Sequence, residues 1–155
     1  MNQKVWGPHM WFSLHSITFT YPFKPSNEDK ELVINFFTSL KNILPCITCQ
    51  LNYTKNLQDL PIQTGSRKEL VYWLIDLHNK VNIETGKSVM DYKSAIKYYE
   101  KQYGCRIYLD QDEQEKDESN NCMLDRYHYN WIYIFVIIII LLISFLKFKN
   151  STFQH

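Results

Sequence analysis

Leu44-Pro45-Cys46-Ile47-Thr48-Cys49-Gln50 places two cysteines three positions apart, directly after a proline and ahead of a polar-apolar helical pattern. Proline fixes the backbone just before the pair, so the spacing predicts that the cysteines occupy the first turn of a helix. That placement has a chemical consequence. The unpaired N–H groups and positive dipole end of a helix stabilise a thiolate, so one sulfur attacks a disulfide while the other waits one turn away to resolve it. The arrangement suits a reversible dithiol/disulfide.

Structural zinc also uses cysteines at this spacing, and the pair by itself leaves that reading open. A complete zinc site needs a second close pair, whereas the remaining cysteines, Cys105 and Cys122, stand far apart in the chain. The residues upstream bear on the fold. Leu32, Val33, Phe36, Phe37, Leu40 and Ile43-Leu44 form a helical stripe leading into the cysteines, opened by Ser26 as N-cap with Glu28 and Asp29 behind it. A thioredoxin-like site needs a strand at that position, so the helix argues against that fold.

Working outward, Trp11, Leu14, His15 and Thr18 recur at helical spacing from Pro8 until Tyr21-Pro22, which predicts a first helix. His15 on this stripe fits either a core histidine or a ligand contact. After the cysteines, Leu51, Tyr53 and Leu57 continue a third helix to Asp59-Leu60-Pro61. Ser66 with Glu69 three residues on forms a capping-box signature for a fourth helix carrying Leu70, Trp73, Leu74, Leu77, His78 and Val81. His78-Asn79-Lys80-Val81-Asn82 lies near its C-terminal end, with Gly86 and Lys87 beyond; Lys87 close to two asparagines suits a phosphate or an adenine edge, or plain helix capping. Val89, Met90, Tyr92, Ile96, Tyr99 and Tyr103 give a weaker fifth helix ended by Gly104.

Composition agrees with helices: only 4 Gly and 5 Pro interrupt 155 residues, and β-branched runs are scarce before the C-terminal end. A length of 155 residues allows one domain and little more. The net charge of +1 gives no argument for nucleic acid. Eleven Tyr, nine Phe and four Trp supply flat surfaces suited to a core or to the walls of a planar cofactor.

Past residue 104 the character changes. Residues 105–126 hold the acidic run Asp110 to Asn121, which reads as a solvated linker. Trp131 to Leu146 is apolar apart from Ser144, and 127–148 has the length of a bilayer-crossing helix, flanked by Tyr127, Tyr129, Trp131 and Tyr133 on one side and by Lys147 and Lys149 on the other. A short tail, 149–155, follows. The N-terminal residues lack the apolar core of a secretory signal. The expected topology is therefore a single-pass tail anchor with the domain in the cytosol. The two lysines behind the span oppose it under the positive-inside rule, and the missing signal outweighs them.

Three separated motifs now stand in order: Trp6-Gly7-Pro8-x-x-Trp11-x-x-Leu14-His15, Cys46-x-x-Cys49, and His78-Asn79-x-Val81-Asn82 followed by Lys87. Together they resemble the Erv/ALR family of FAD-linked sulfhydryl oxidases, particularly members from large cytoplasmic DNA viruses. The resemblance implies an all-α domain over 1–104, a four-helix bundle with a short fifth helix holding FAD among its helices. No glycine-rich dinucleotide fingerprint is present. By similarity Cys49 faces the flavin and Cys46 exchanges with substrate. Gly7, Trp11 and His15 line the cofactor; His78, Asn79, Val81, Asn82 and Lys87 surround its adenine and phosphates, with Tyr92 near the adenine. The implied activity is oxidation of protein dithiols, a thioredoxin-like carrier among them, by O2 with release of H2O2. A homodimer and virion or other viral membrane proteins as clients belong to the same implication.

The chain departs from the pattern in two places. Ser88 to Lys93 lacks the cysteine that many cellular members carry there, so that structural disulfide is not implied. Cys105 and Cys122 lie outside the matched stretch, where a shuttle disulfide, a structural bridge and free thiols all remain open. The rival reading from another class is a non-enzymatic membrane-anchored adaptor with structural or zinc-binding cysteines.

Overall fold

The computed structural model describes residues 2–116 and 133–143. Its helices run α1 (Gln3–Phe19), α2 (Asn27–Ile43), α3 (Ile47–Asp59), α4 (Arg67–Glu84), α5 (Tyr92–Tyr103) and α6 (Gln111–Lys116). Helix α1 packs on α4, α2 on α3, and α5 on α4, so the described core is all-α, as expected.

Local chemistry starts each helix. Asn2 caps α1 by accepting from the Lys4 N–H, which lets the helix begin well ahead of Pro8 and leaves that proline inside it. The expected start at Pro8 is thus corrected. The ring lacks the N–H that would bond one turn back, and the added cap and first turn offset that loss. Ser26 and Asp29 close a reciprocal capping box on α2. Ser66 accepts from the Glu69 N–H at α4. Gly104 ends α5 with φ of 68°, the left-handed cap that glycine adopts without strain.

Helix α4 is the centre. Leu70, Trp73, Leu74 and Leu77 join Leu14, Phe37, Leu40, Leu44 and Tyr53 in one cluster that draws on α1 to α4. Val71 and Ile75 on its other side meet Phe19, Ala95, Tyr99 and Leu109 in a second cluster. A helix apolar on two faces must be covered on both, which explains why α5 folds back rather than trailing away. Each fully buried large side chain contributes about 1.5–3 kcal/mol.

Residues 105–109, grouped with the linker by composition, are packed. Tyr108 and Leu109 are buried, and the buried Arg67 donates to the carbonyls of Tyr21 and Tyr108 while lying over the Phe23 ring. Cys105 is held in a disulfide, which removes the free-thiol reading for it. Cys122, the rest of the linker from 117, and the tail fall outside the described residues. Of the expected span, 133–143 is helical and its apolar side chains are exposed; its flanks, 127–132 and 144–148, also fall outside. Among the described residues no helix is long and apolar enough to cross a membrane.

Candidate functional site: a cysteine pair joined to two histidines by one helix

The turn before α3 is built tightly. The Cys46 N–H donates to the Leu44 carbonyl at 2.8 Å, and the Gln50 side chain reaches back to the carbonyls of Leu44 (2.8 Å) and Asn42 (3.1 Å). Cys46 is then the N-cap of α3, its sulfur accepting from the Cys49 N–H at 3.3 Å. The cysteines sit in the predicted first turn, both as half-buried free thiols.

Their environments differ. Cys46 is flanked in the chain by Ile43 and Ile47, which are 65% and 75% exposed. Cys49 packs against the main core cluster. The Cys46 thiol is pulled below the ordinary range, first by the Cys49 side chain, then by the Cys49 N–H and the Gln3 amide. Burial, followed by the neighbouring Cys46, pushes Cys49 up to about 11. Of the two sulfurs, Cys46 is the one more readily deprotonated.

Gln3 on α1 contacts both sulfurs, its side-chain nitrogen lying 2.9 Å from each. Gln3, Gly7, Trp11 and His15 follow every fourth residue, so they make one stripe of about 18 Å along α1. Its far end is a histidine pair. His15 Nε2 and His78 Nδ1 are 3.2 Å apart, and the Trp11 ring stacks on His78 at 4.0 Å and 6°. His15 also lies against Tyr99 and Phe19. Burial and then the facing His78 hold His15 down at about 3; burial and then the Lys87 charge hold His78 at about 4. Both rings are neutral at physiological pH.

The turn after α4 is tied to the helix. Asn79 donates to the Met90 carbonyl at 2.7 Å and accepts its N–H at 3.0 Å, while the Lys87 N–H bonds the Asn82 carbonyl at 2.7 Å. Lys87 is thereby kept near His78. Val81 is half-buried on the same stretch. Tyr92 makes its contacts elsewhere: it stacks on Tyr72 at 4.1 Å and donates to Asp76 at 2.9 Å. The structure thus brings together Cys46 with Cys49, and Trp11 with His15, His78 and the Lys87 charge, and it sets Tyr92 against Tyr72 and Asp76.

The stripe has the features of a cradle for a long, partly planar group. A Cβ on Gly7, midway along it, would meet nothing within 4 Å. Nδ1 of His15, at its far end, is buried without a partner, as are Trp6 Nε1 and Asn56 Oδ1 off the stripe, an uncommon state for polar atoms. FAD, with a redox ring at one end and an adenine at the other, fits a donor set whose ends are a dithiol and an aromatic-histidine pair with a lysine. Gln3 was not among the expected site residues. Its membership of the i, i+4 stripe was visible in the sequence, but the approach of α1 to α3 was not. Among the described residues no group of three or more His, Cys, Asp or Glu side chains stands ready for a metal.

A small helical domain that presents a cysteine pair at one end of a helix stripe and stacked aromatic rings at the other is a thiol redox domain in type. Residues 8–104 match the Erv1 / Alr family, and the chain belongs to it. It is 39% identical over 104 residues to a protein of Acanthamoeba polyphaga mimivirus named as a probable FAD-linked sulfhydryl oxidase, a match covering 65% of this chain and 73% of that one. Against the Arabidopsis thaliana FAD-linked sulfhydryl oxidase ERV1 the identity is 36% over 83 residues, 54% of this chain and 44% of the relative. The solved FAD binding domain of Erv1 from Saccharomyces cerevisiae superposes with a TM-score of 0.60 at 30% identity, covering 66% of this chain and 93% of that domain.

Proposed function

We propose that this chain is an FAD-dependent thiol oxidase that forms disulfides in protein substrates, with O2 as acceptor and H2O2 as product. One observation carries the reading. Cys46 at the α3 N-cap and a core-packed Cys49 sit at the head of the α1 stripe that ends at Trp11, His15 and His78.

In the oxidised state, a substrate thiolate attacks the Cys46 sulfur, breaking the Cys46–Cys49 bond and releasing Cys49 as a thiolate that takes up a proton. The second substrate thiol, deprotonated, attacks the substrate sulfur of the mixed disulfide and displaces Cys46. Two electrons and the substrate's protons have then passed to the pair, and the substrate is a disulfide. FAD, when bound, supplies the route from a two-electron thiol couple to oxygen. Trp11, His15, His78, Asn79, Val81, Asn82 and Lys87 would hold it, with the neutral histidines offering ring stacking and hydrogen bonds and Lys87 a charge for phosphate.

The membrane is part of the proposal. The apolar run 127–148 would anchor the domain on the cytosolic face, where a local oxidase supplies disulfides that the surrounding compartment does not. Viral membrane or virion proteins are the proposed clients, since one relative is a mimivirus protein, and a thioredoxin-like carrier would meet the pair at Cys46. Exposed Leu32, Phe36 and Ile43 on α2 support a homodimer.

The test is a Cys49→Ser variant assayed for oxygen consumption with dithiothreitol. The expected result is a loss of at least about 100-fold in rate with bound flavin and helical content retained. Undiminished turnover would overturn the assignment.

A further inference from the structure

The mechanism needs negative charge on each sulfur in turn: on Cys49 when the disulfide first opens, then on Cys46 when the substrate leaves. A leaving thiolate departs faster and resides longer when a donor faces it. In low-pKa cysteine sites that donor is usually a histidine, lysine or arginine. Here the groups that lower Cys46 are the Cys49 side chain and N–H, the Gln3 amide and the Thr48 N–H, with no charged side chain among them.

Gln3 is placed for this work by its own helix. It is the first residue of α1, fixed by the Asn2 cap on the next residue, and its nitrogen is 2.9 Å from Cys46 Sγ and 2.9 Å from Cys49 Sγ. A primary amide has two hydrogens, one for each sulfur. Resting on the thiol-oxidase reading, we propose that Gln3 is a third residue of the dithiol site, a neutral donor that stabilises whichever sulfur carries the charge and so favours the reduced pair over the disulfide. Substrate oxidation is thereby driven forward. No atom of Gln3 is transferred; the electron pair and protons move as in the exchange above.

The same amide lies at the head of the stripe that continues through Gly7 to Trp11. Its contact therefore also sets where the pair sits against α1. A merely structural Gln3 would fix position without moving the titration of Cys46, and that difference is measurable.

The experiment is the rate of iodoacetamide alkylation of Cys46 against pH in the reduced full-length chain, read by peptide mass mapping, for the natural protein and for Gln3→Met, Gln3→Glu and Gln3→Lys. Methionine keeps the length and removes the donor; glutamate adds repulsion; lysine restores a donor with charge. The expected midpoints rise in the order Lys, Gln, Met, Glu, with alkylation at pH 7 slowed about threefold to tenfold in Gln3→Met. A Met midpoint equal to that of the natural chain, with helical content intact, overturns the proposal. If Gln3→Met does not fold, a Gln3→Glu midpoint no higher than the natural one overturns it instead. Alkylation needs neither flavin nor oxygen, so the two readings fail separately. A protein that binds no FAD but keeps the order loses the oxidase reading alone, and an active oxidase without the order loses Gln3 alone.

Discussion

Cys46 and Cys49 are one helical turn apart and are pushed in opposite directions, the first down by hydrogen bonds and the second up by burial. The two sulfurs thus differ before any cofactor is considered: Cys46 is the more readily deprotonated, and Cys49 packs against the core. The histidines at the other end of the stripe are equally constrained. Both are held well under the free value of 6.5, His15 at about 3 and His78 at about 4. For a base held down in the folded state, the unfolded chain takes up protons first. Stability is therefore complete above about pH 6.5 and declines as the pH falls toward the folded values. Thermal unfolding of the flavin-free protein at pH 7, 6 and 5 should show a falling midpoint, and His15→Leu should lessen the fall. A midpoint unchanged between pH 7 and 5 would contradict the buried neutral pair. The Cys-x-x-C spacing and the His78-Asn79 motif were legible in the sequence because local chemistry defines them. Gln3 was not, since its importance comes from α1 meeting α3 across more than forty residues of chain.

At the scale of elements, helix starts followed the capping residues: Ser26 and Ser66 open α2 and α4 where the sequence placed them. The error at α1 has a physical cause. Proline is favoured in a first turn, so Pro8 looked like the start, but Asn2 supplies a better cap upstream and the helix absorbs one missing bond. The turn after α4 is an element in its own right, pinned to Asn79 by a two-way bond with Met90. Asn79→Ala should cost only about 1 kcal/mol in stability, because the contact is exposed and water replaces it. FAD affinity should fall more, about tenfold, since Lys87 would no longer be fixed near His78. Fluorescence titration of the flavin-free variant checks this, and an affinity equal to that of the natural chain would mean that the turn takes no part in the site. Val89 and Met90, read as the opening of the fifth helix, belong to this turn; Asp91 caps α5 after them.

Across the whole molecule, α4 unites two apolar clusters, and the second extends past the last predicted helix. Leu109 and the Arg67 clamp on the Tyr108 carbonyl bring residues 105–109 into the packing. Composition could not reveal this, because two buried side chains beside a long acidic run are lost in the average. The proposed anchor rests on the reverse situation: an apolar run evident in sequence, of which 133–143 forms a helix with exposed apolar side chains. Between these features stands the central claim, that the stripe from Cys46 and Cys49 to His15 and His78 holds FAD and passes substrate electrons toward oxygen. The most direct measurement is the visible absorption spectrum of the purified chain before and after anaerobic addition of dithiothreitol, and again after admission of air. The account predicts flavin bands that bleach with the dithiol and return with oxygen. A colourless protein that cannot be loaded with FAD, or bound flavin that the dithiol leaves oxidised, would contradict it.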